Sequence, residues 1–288
     1  TDPAQAALPV LFDGGVPNFS TGERAVRVLA SMARYAEMAQ RLRTESKPPT
    51  MRDPSRAAPQ RLPWAQPPTE PEAMDWLQSM GSPVIERRLA TSAEEAVCAF
   101  HQFDRPVAVK VVSPSVSHKS DVGGVALSLS TEAAVAAAFD RMQSLVPHDP
   151  FGGVLVTPMI EEPVEALIGL SYDAQFGPVI AVGIGGIYTE LLEDVSLRVA
   201  PISTEEAERM IAELKGSSVL RGTRGRSRRD VAALAKLASE ISLLPFRVSG
   251  IEEMDLNPVF LLTSGCVIGD VRIIPTLSSS TAKEVVNP

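Results

Sequence analysis

Residues 106–124 read PVAVKVVSPSVSHKSDVGG, and this stretch decides the fold. Pro106 to Val112 form an apolar run of strand length bounded by turn residues, which predicts a buried strand. Lys110 breaks the run. Burying an ammonium without a partner costs on the order of several kcal/mol. Alternation puts Lys110 on the face of Ala108 and Val112, directed either at solvent or into a cleft. The loop that follows carries Ser117, His118, Lys119, Ser120, Gly123 and Gly124. Glycines let backbone amides approach a ligand closely, and exposed amides beside a cation make an anion nest. A Gly-Gly turn needs only steric reasons on its own. With Lys110 one strand upstream, the pair becomes a candidate phosphate site.

Outward from this stretch the punctuation is regular from residue 70 onward. A helix is expected at about 70–80, stopping at Gly81, and a strand at Val84–Arg87. Thr91 and Glu94 have capping-box spacing before a helix to about His101. Further strands are expected at Val125–Leu129, Gly153–Met159, Glu165–Tyr172 and Val179–Gly183, with an Ala-rich helix from Thr131. Helices follow at about 204–215, with Ser203 and Glu206 as the box, and at 230–243. Two apolar strands, Glu253–Leu262 and Val267–Ile274, end the pattern. Mixed strands and helices with hairpin-like returns predict an α+β domain rather than a pure βαβ series.

The last two strands carry a geometric argument. They flank a turn at Thr263-Ser264-Gly265. Asn257 and Asp270 are equidistant from it, so they lie opposite each other with Cβ atoms about 5 Å apart. Asp255, two residues away, shares their face. Two carboxylates and an amide oxygen suit a hard cation such as Mg²⁺, which takes few protein ligands and keeps waters and phosphates; the alternative is a polar, solvated hairpin face. Gly183-Ile184-Gly185-Gly186, followed by Glu190, is a second glycine cluster, and it does not fit the dinucleotide fingerprint. Glu190, Glu193, Asp194 and Arg198 cluster behind it, and Arg198 pairs either with phosphate or with these acids. The basic run Arg221, Arg224, Arg226, Arg228 and Arg229 is either a solvated loop or a contact to an acidic cofactor tail. His101 and His148 read as surface histidines. No Ser-His-Asp set or cysteine-nucleophile motif is visible.

The N-terminal part differs. Ser20 and Glu23 have capping-box spacing, and Ala25, Val28, Leu29, Met32 and Tyr35 repeat at helical spacing; the short apolar run 9–12 before them reads as a strand. One strand and one helix cannot bury a core alone, so residues 1–45 should dock on something. Residues 46–71 hold eight of the 24 prolines and read as an extended linker. The alternative is an ordered arm lying on the next domain, pinned by Trp64. The 288 residues fit about two domains. With 27 basic against 35 acidic residues, the net charge of −8 argues against a nucleic-acid binder. No run approaches the roughly 18 apolar residues of a membrane span. Two cysteines, Cys98 and Cys266, imply no disulfide framework and point to the reducing cytoplasm. The chain starts at Thr1 in mid-pattern and reads as a piece of something longer.

Residues of about 70–275 closely resemble the ATP-grasp domain of NDP-forming acyl-CoA synthetases (acetate–CoA ligase, ADP-forming), relatives of the succinyl-CoA synthetase β subunit. The resemblance rests on PVAVKVVSPSVSHKSDVGGV, GVLVTPMI, FGPVIAVGIGGIYTELLEDVSLRVAPI, LRGTRG and MDLNPVF followed by IGDVRII. It implies an ATP-grasp fold of two α/β lobes, 70–155 and 156–288. These follow the tail of a CoA-ligase-like domain at 1–45 and a Pro-rich linker at 46–69. It also implies ATP or ADP held by Lys110, Lys119, Ser120, Gly123 and Gly124, with adenine at the backbone of Thr157, Pro158, Met159 and Ile160. Glu190 and Arg198 belong to the same nucleotide site, and Asn257 and Asp270 match the family's Mg²⁺ ligands. His118 resembles a second phosphoryl station, with Asp255 as its orienting partner. Thr157 and Pro158 stand where many relatives have Gln and Glu or Pro. The expected partners are the nucleotide and CoA-binding and ligase domains, upstream in the same chain or on another subunit of an oligomer. No nucleic acid and no membrane are expected. The competing readings are a silent synthetase-like regulatory module of a protein acetyltransferase and another ATP-grasp carboxylate ligase.

Overall fold

The computed structural model describes residues 3–44, 59–116, 119, 122–146, 150–186, 194–222 and 227–276. The chain divides into two units, Thr1–Thr50 and Met51–Pro288. The first holds two helices, α1 (Pro3–Asp13) and α2 (Gly22–Thr44). The apolar run 9–12 therefore lies in a helix, not in a strand. A run of four apolar residues fits either state, and the Ala-Gln-Ala-Ala-Leu segment before it is made of good helix formers. The expected cap also shifts by one, since the Arg24 amide donates to Thr21 Oγ1 at 3.3 Å.

In the second unit a four-stranded sheet has the order β2-β5-β3-β4, made of β2 (Arg88–Ala90), β3 (Val107–Val111), β4 (Val125–Leu129) and β5 (Val154–Pro158). Helices α4 (Ala93–Phe103) and α5 (Glu132–Leu145) cover it. Their apolar faces close a core of Ala96, Phe103, Val109, Val135, Phe139, Met142 and Val156. The expected strand at 84–87 is instead a single bridge, Val84 to Ile268, and the strand proper begins at Arg88. Glu95, rather than Glu94, closes the start of α4: its carboxylate takes the Thr91 amide at 2.7 Å while Ser92 caps.

A six-stranded sheet has the order β11-β10-β6-β7-β8, with β12 also on β10. Its strands are β6 (Val164–Asp173), β7 (Gly177–Ile184), β8 (Val195–Val199), β10 (Ile251–Leu261), β11 (Cys266–Ile268) and β12 (Arg272–Pro275). Alternation puts Ile168, Leu170, Ile180, Val182, Met254 and Leu256 on one face. That face packs in one core with α3 (Glu70–Ser79), α6 (Thr204–Glu213), α7 (Ser217–Arg221), α8 (Val231–Ser242) and α9 (Leu244–Arg247). The opposite face carries Asp255, Gly169, Ala181 and Leu197 in one row across four strands. Residues 59–64 do not hang free. β1 (Gln60–Arg61) pairs in parallel with β9 (Val248–Ser249), Leu62 is buried, and Trp64 meets Trp76 edge-on at 6.0 Å. Among the described residues no helix is long and apolar enough to cross a membrane.

Candidate functional site

The two sheets meet at Lys110. β3 is buried at all five positions, so its lysine is not an edge residue facing water. The Lys110 ammonium donates to Glu70 Oε1 at 2.9 Å, to the Gly269 carbonyl at 2.8 Å and to Asp270 Oδ2 at 3.1 Å. These are the three protons an ammonium has. Lys119 joins them, bonded to Glu70 Oε2 and 3.5 Å from Asp270 Oδ1. Burial pulls the Lys110 ammonium down, but the Glu70 and Asp270 carboxylates outweigh it and hold the pKa above its ordinary value. Burial raises Asp270, and Lys110 and Lys119 more than reverse it, leaving its carboxyl below the usual range. The cluster is formally neutral: two ammoniums, two carboxylates.

Glu70 is the residue that sequence reasoning missed. It sits in the first turn of α3, where the helix dipole favours an anion. Glu72 closes that turn by accepting from the Thr69 amide at 2.8 Å and hydroxyl at 2.7 Å, leaving Glu70 free to turn inward. Its side chain is only 2% exposed. The available signal was a second acid, Glu70, beside a capping pair that needs only Thr69 and Glu72.

The hairpin register supports the rest of the site. Val259 pairs with Ile268 and Leu261 with Cys266; Asp255 pairs with Arg272 and Glu253 with Ile274. Each pair is equidistant from the same turn, the spacing that sets Asn257 against Asp270. Between these ladders the Gly269 amide donates to the Pro258 carbonyl at 2.8 Å in the same register, while β10 shifts against β6 between Leu256 and Val259. Asp255 is half-buried, and burial, then Glu253 and Asp270, push its carboxyl up. The donor set at Asp270 and Asn257 is oxygen only, and among the described residues no three His, Cys, Asp or Glu form a metal cage. That composition fits a hard cation completing its shell with water and phosphate oxygens.

The loop after β3 closes on its own start. The Gly124 amide donates to the Lys119 carbonyl at 2.7 Å, the Val111 amide donates to the Gly124 carbonyl at 2.9 Å, and Gly123 has φ +71°. His118 and Ser120 lie outside the described residues, as does Glu190. At the far end of β5, Thr157 pairs with Ala108, and the Met159 amide donates to the Pro106 carbonyl at 2.8 Å. Strand alternation therefore turns the Pro158 carbonyl and the Ile160 amide away from β3, beyond the reach of β2, which pairs only with 154–156. An acceptor and a donor two residues apart match the edge of adenine, whose amino group donates and whose ring nitrogen accepts. Guanine presents the reverse order.

Arg198 stands apart from this cluster. On β8 its guanidinium binds Glu206 at 2.6 Å and Glu213 at 2.7 Å, both on α6. Among the described residues the acids that hold it thus do not include Asp194, which instead accepts from the Lys215 and Gly216 amides; Glu193, like Glu190, lies outside the described residues. In the basic run, Arg229 donates to the Glu162 carbonyl at 2.7 Å.

The two sheets that meet at the lysine–carboxylate cluster fall, but for the last residue of β12, within residues 65–274, which the family model of the ATP-grasp domain matches. The chain belongs to the ATP-grasp family of the ADP-forming acetate–CoA ligase kind. It is 37% identical over 213 residues to the beta subunit of acetate–CoA ligase (ADP-forming) I of Pyrococcus furiosus, covering 73% of this chain and 92% of that subunit. It is 35% identical over 271 residues to acetate–CoA ligase (ADP-forming) I of Archaeoglobus fulgidus, covering 92% of this chain but 40% of that protein. The chain thus spans well under half the length of the longer relative. The dinucleotide-forming acetyl-coenzyme A synthetase 1 of Ca. Korarchaeum cryptofilum, solved with coenzyme A and Ca-AMPCP, superposes with a TM-score of 0.69. It is 41% identical, over 73% of this chain and 93% of that one.

Proposed function

We propose that this chain is the nucleotide-binding part of an ADP-forming acyl-CoA synthetase, moving a phosphoryl group between ATP or ADP and histidine. The whole reaction would be carboxylic acid + CoA + ATP ⇌ acyl-CoA + ADP + phosphate. The observation that carries this reading is the convergence of Lys110, Lys119 and Asp270 from two sheets onto one point. Phosphoryl transfer needs positioning and charge neutralisation more than covalent chemistry, and two ammoniums beside an oxygen-only metal pair supply both. Lys110 and Lys119 would face the phosphates, with Gly123 and Gly124 letting the loop close on them. Pro158 O and Ile160 N would read the adenine edge, which favours ATP over GTP. Asn257 and Asp270 would hold Mg²⁺, which when bound neutralises phosphate charge and fixes its geometry. His118 would accept the phosphoryl group, oriented by Asp255.

The domain reading follows from the same likeness. Residues 1–45 would be the tail of a CoA-ligase-like domain and 70–288 the ATP-grasp domain, joined by 46–69, of which residues 60–64 lie on the ATP-grasp unit as an arm. The 271 residues matched in the longer relative exceed the span 65–274, which supports it. The remaining domains, upstream or on a partner subunit, would supply CoA and the acid. The unpaired Cys98 and Cys266 are in keeping with the cytoplasm.

The test is calorimetry with Mg²⁺-ADP together with labelling by γ-phosphate-labelled ATP. Binding plus acid-labile label that vanishes in His118→Ala is the expected result. Binding with no label would overturn the transfer role.

A further inference from the structure

We propose that Glu70 is a positioning residue that holds Lys110 and Lys119 in place when Asp270 is given over to the cation. The proposal rests on the function just described. All three Lys110 protons already have acceptors: Glu70, the Gly269 carbonyl and Asp270. In this arrangement the lysine has none for a phosphate oxygen. Of the three acceptors, Asp270 is the one that also has a place in the oxygen donor set opposite Asn257. A cation drawn to Asp270 competes with the ammonium and frees one Lys110 proton on the side where a metal-bridged phosphate would lie.

The ammonium does not swing away, because Glu70 and the Gly269 carbonyl still hold it. Glu70 can do this because it binds one ammonium on each oxygen. Its side chain is buried at 2% exposure, and its backbone is fixed at the start of α3. Metal loading and the lysine–phosphate contact then form a single exchange with Glu70 as the fixed anchor.

Removing the Glu70 charge has a specific consequence. Among the described residues Asp270 becomes the one carboxylate facing two ammoniums, is held more tightly by them, and yields less readily to the cation. The cluster also changes from neutral to a net positive charge, which favours a metal-free polyphosphate. Loss of packing alone would weaken binding with and without metal together.

The experiment titrates the 288-residue chain and its Glu70→Gln and Glu70→Asp variants with ADP, with and without Mg²⁺, by calorimetry; thermal melting confirms folding. In the wild type Mg²⁺ strengthens ADP binding. In Glu70→Gln that strengthening falls by about tenfold, within the usual range of coupling between two sites, while metal-free ADP binds as well or better. Glu70→Asp keeps the charge but is too short to reach both lysines, and falls between. Equal strengthening in the Gln variant and the wild type, or a parallel loss with and without Mg²⁺, overturns the role of Glu70 alone. If the Gln variant does not fold, a wild-type ratio in Glu70→Asp overturns it. A wild type that binds no ADP in either condition overturns the functional reading and this exchange with it.

Discussion

Lys110 and Asp270 lie 160 residues apart in the chain and 3.1 Å apart in space. One is on β3 of the smaller sheet and the other between β11 and β12 of the larger, so this ion pair ties the two sheets together. The contact is costly to leave half-made. Lys110→Met would strand Glu70 and Asp270 with Lys119 as their remaining ammonium. Breaking a buried pair from one side costs about 3 kcal/mol or more, so the urea midpoint should fall clearly. Mg²⁺-ADP binding by calorimetry should be lost in the same variant. A variant that keeps both would show that the pair carries neither stability nor phosphate.

Asp255 gives a pH signature. Burial, with Glu253 and Asp270, raises its carboxyl above the ordinary value. A carboxyl raised by folding favours the native state in its protonated form. That contribution is complete below the unfolded value of about 3.9 and is lost as pH rises through the folded one. At neutral pH the ionised Asp255 is therefore a liability to the apo fold. Asp255→Asn should raise the metal-free melting temperature at pH 7, and the gain should vanish as the pH is brought below about 4. A gain that is constant with pH would assign the effect to packing instead.

The loop glycines separate space from strain. A Cβ on Gly124 would sit 2.6 Å from Val111 Cγ1 and 3.0 Å from the Lys119 carbonyl oxygen. Gly124→Ala should therefore push Lys119 off Glu70 and weaken Mg²⁺-ADP by on the order of tenfold or more, since small misplacements cost much at such sites. A Cβ on Gly123 meets nothing within 4 Å, but its φ of +71° strains an L-residue. Gly123→Ala should cost about 1 kcal/mol of stability with a smaller effect on binding. Binding curves and melts of both variants check the contrast.

Much of this was legible in sequence, for identifiable reasons. The register of the last hairpin follows from counting residues about Thr263-Ser264-Gly265, because antiparallel pairs are symmetric about their turn. Lys110 stood out because a cation interrupts an apolar strand. β8 escaped notice although Val195, Leu197 and Val199 alternate with Ser196 and Arg198. As an edge strand it exposes its apolar residues, with Leu197 60% exposed, so the usual buried-face signal was inverted. Glu70 escaped because its function depends on partners 40 and 49 residues away. Local patterns report caps and faces, while a long-range ion cluster has no local period.

The segment 59–64 was readable as linker or as arm, and its energetics separate the two. Leu62 is 4% exposed and donates its amide to the Ser249 carbonyl at 2.9 Å. Gln60 and Arg61 pair with Val248 and Ser249. An extended linker would give up nothing on truncation of Leu62, whereas a buried leucine cut to alanine costs about 2–5 kcal/mol. Leu62→Ala should accordingly lower the unfolding midpoint of the larger unit. Trp64→Ala should cost about 1 kcal/mol from the lost edge-on ring pair. The chain has just two tryptophans, Trp64 and Trp76, so near-ultraviolet circular dichroism reports on their contact. In Leu62→Ala that signal should melt before the far-ultraviolet signal if the arm frays first. Coincident melting at the wild-type temperature would return the segment to a linker.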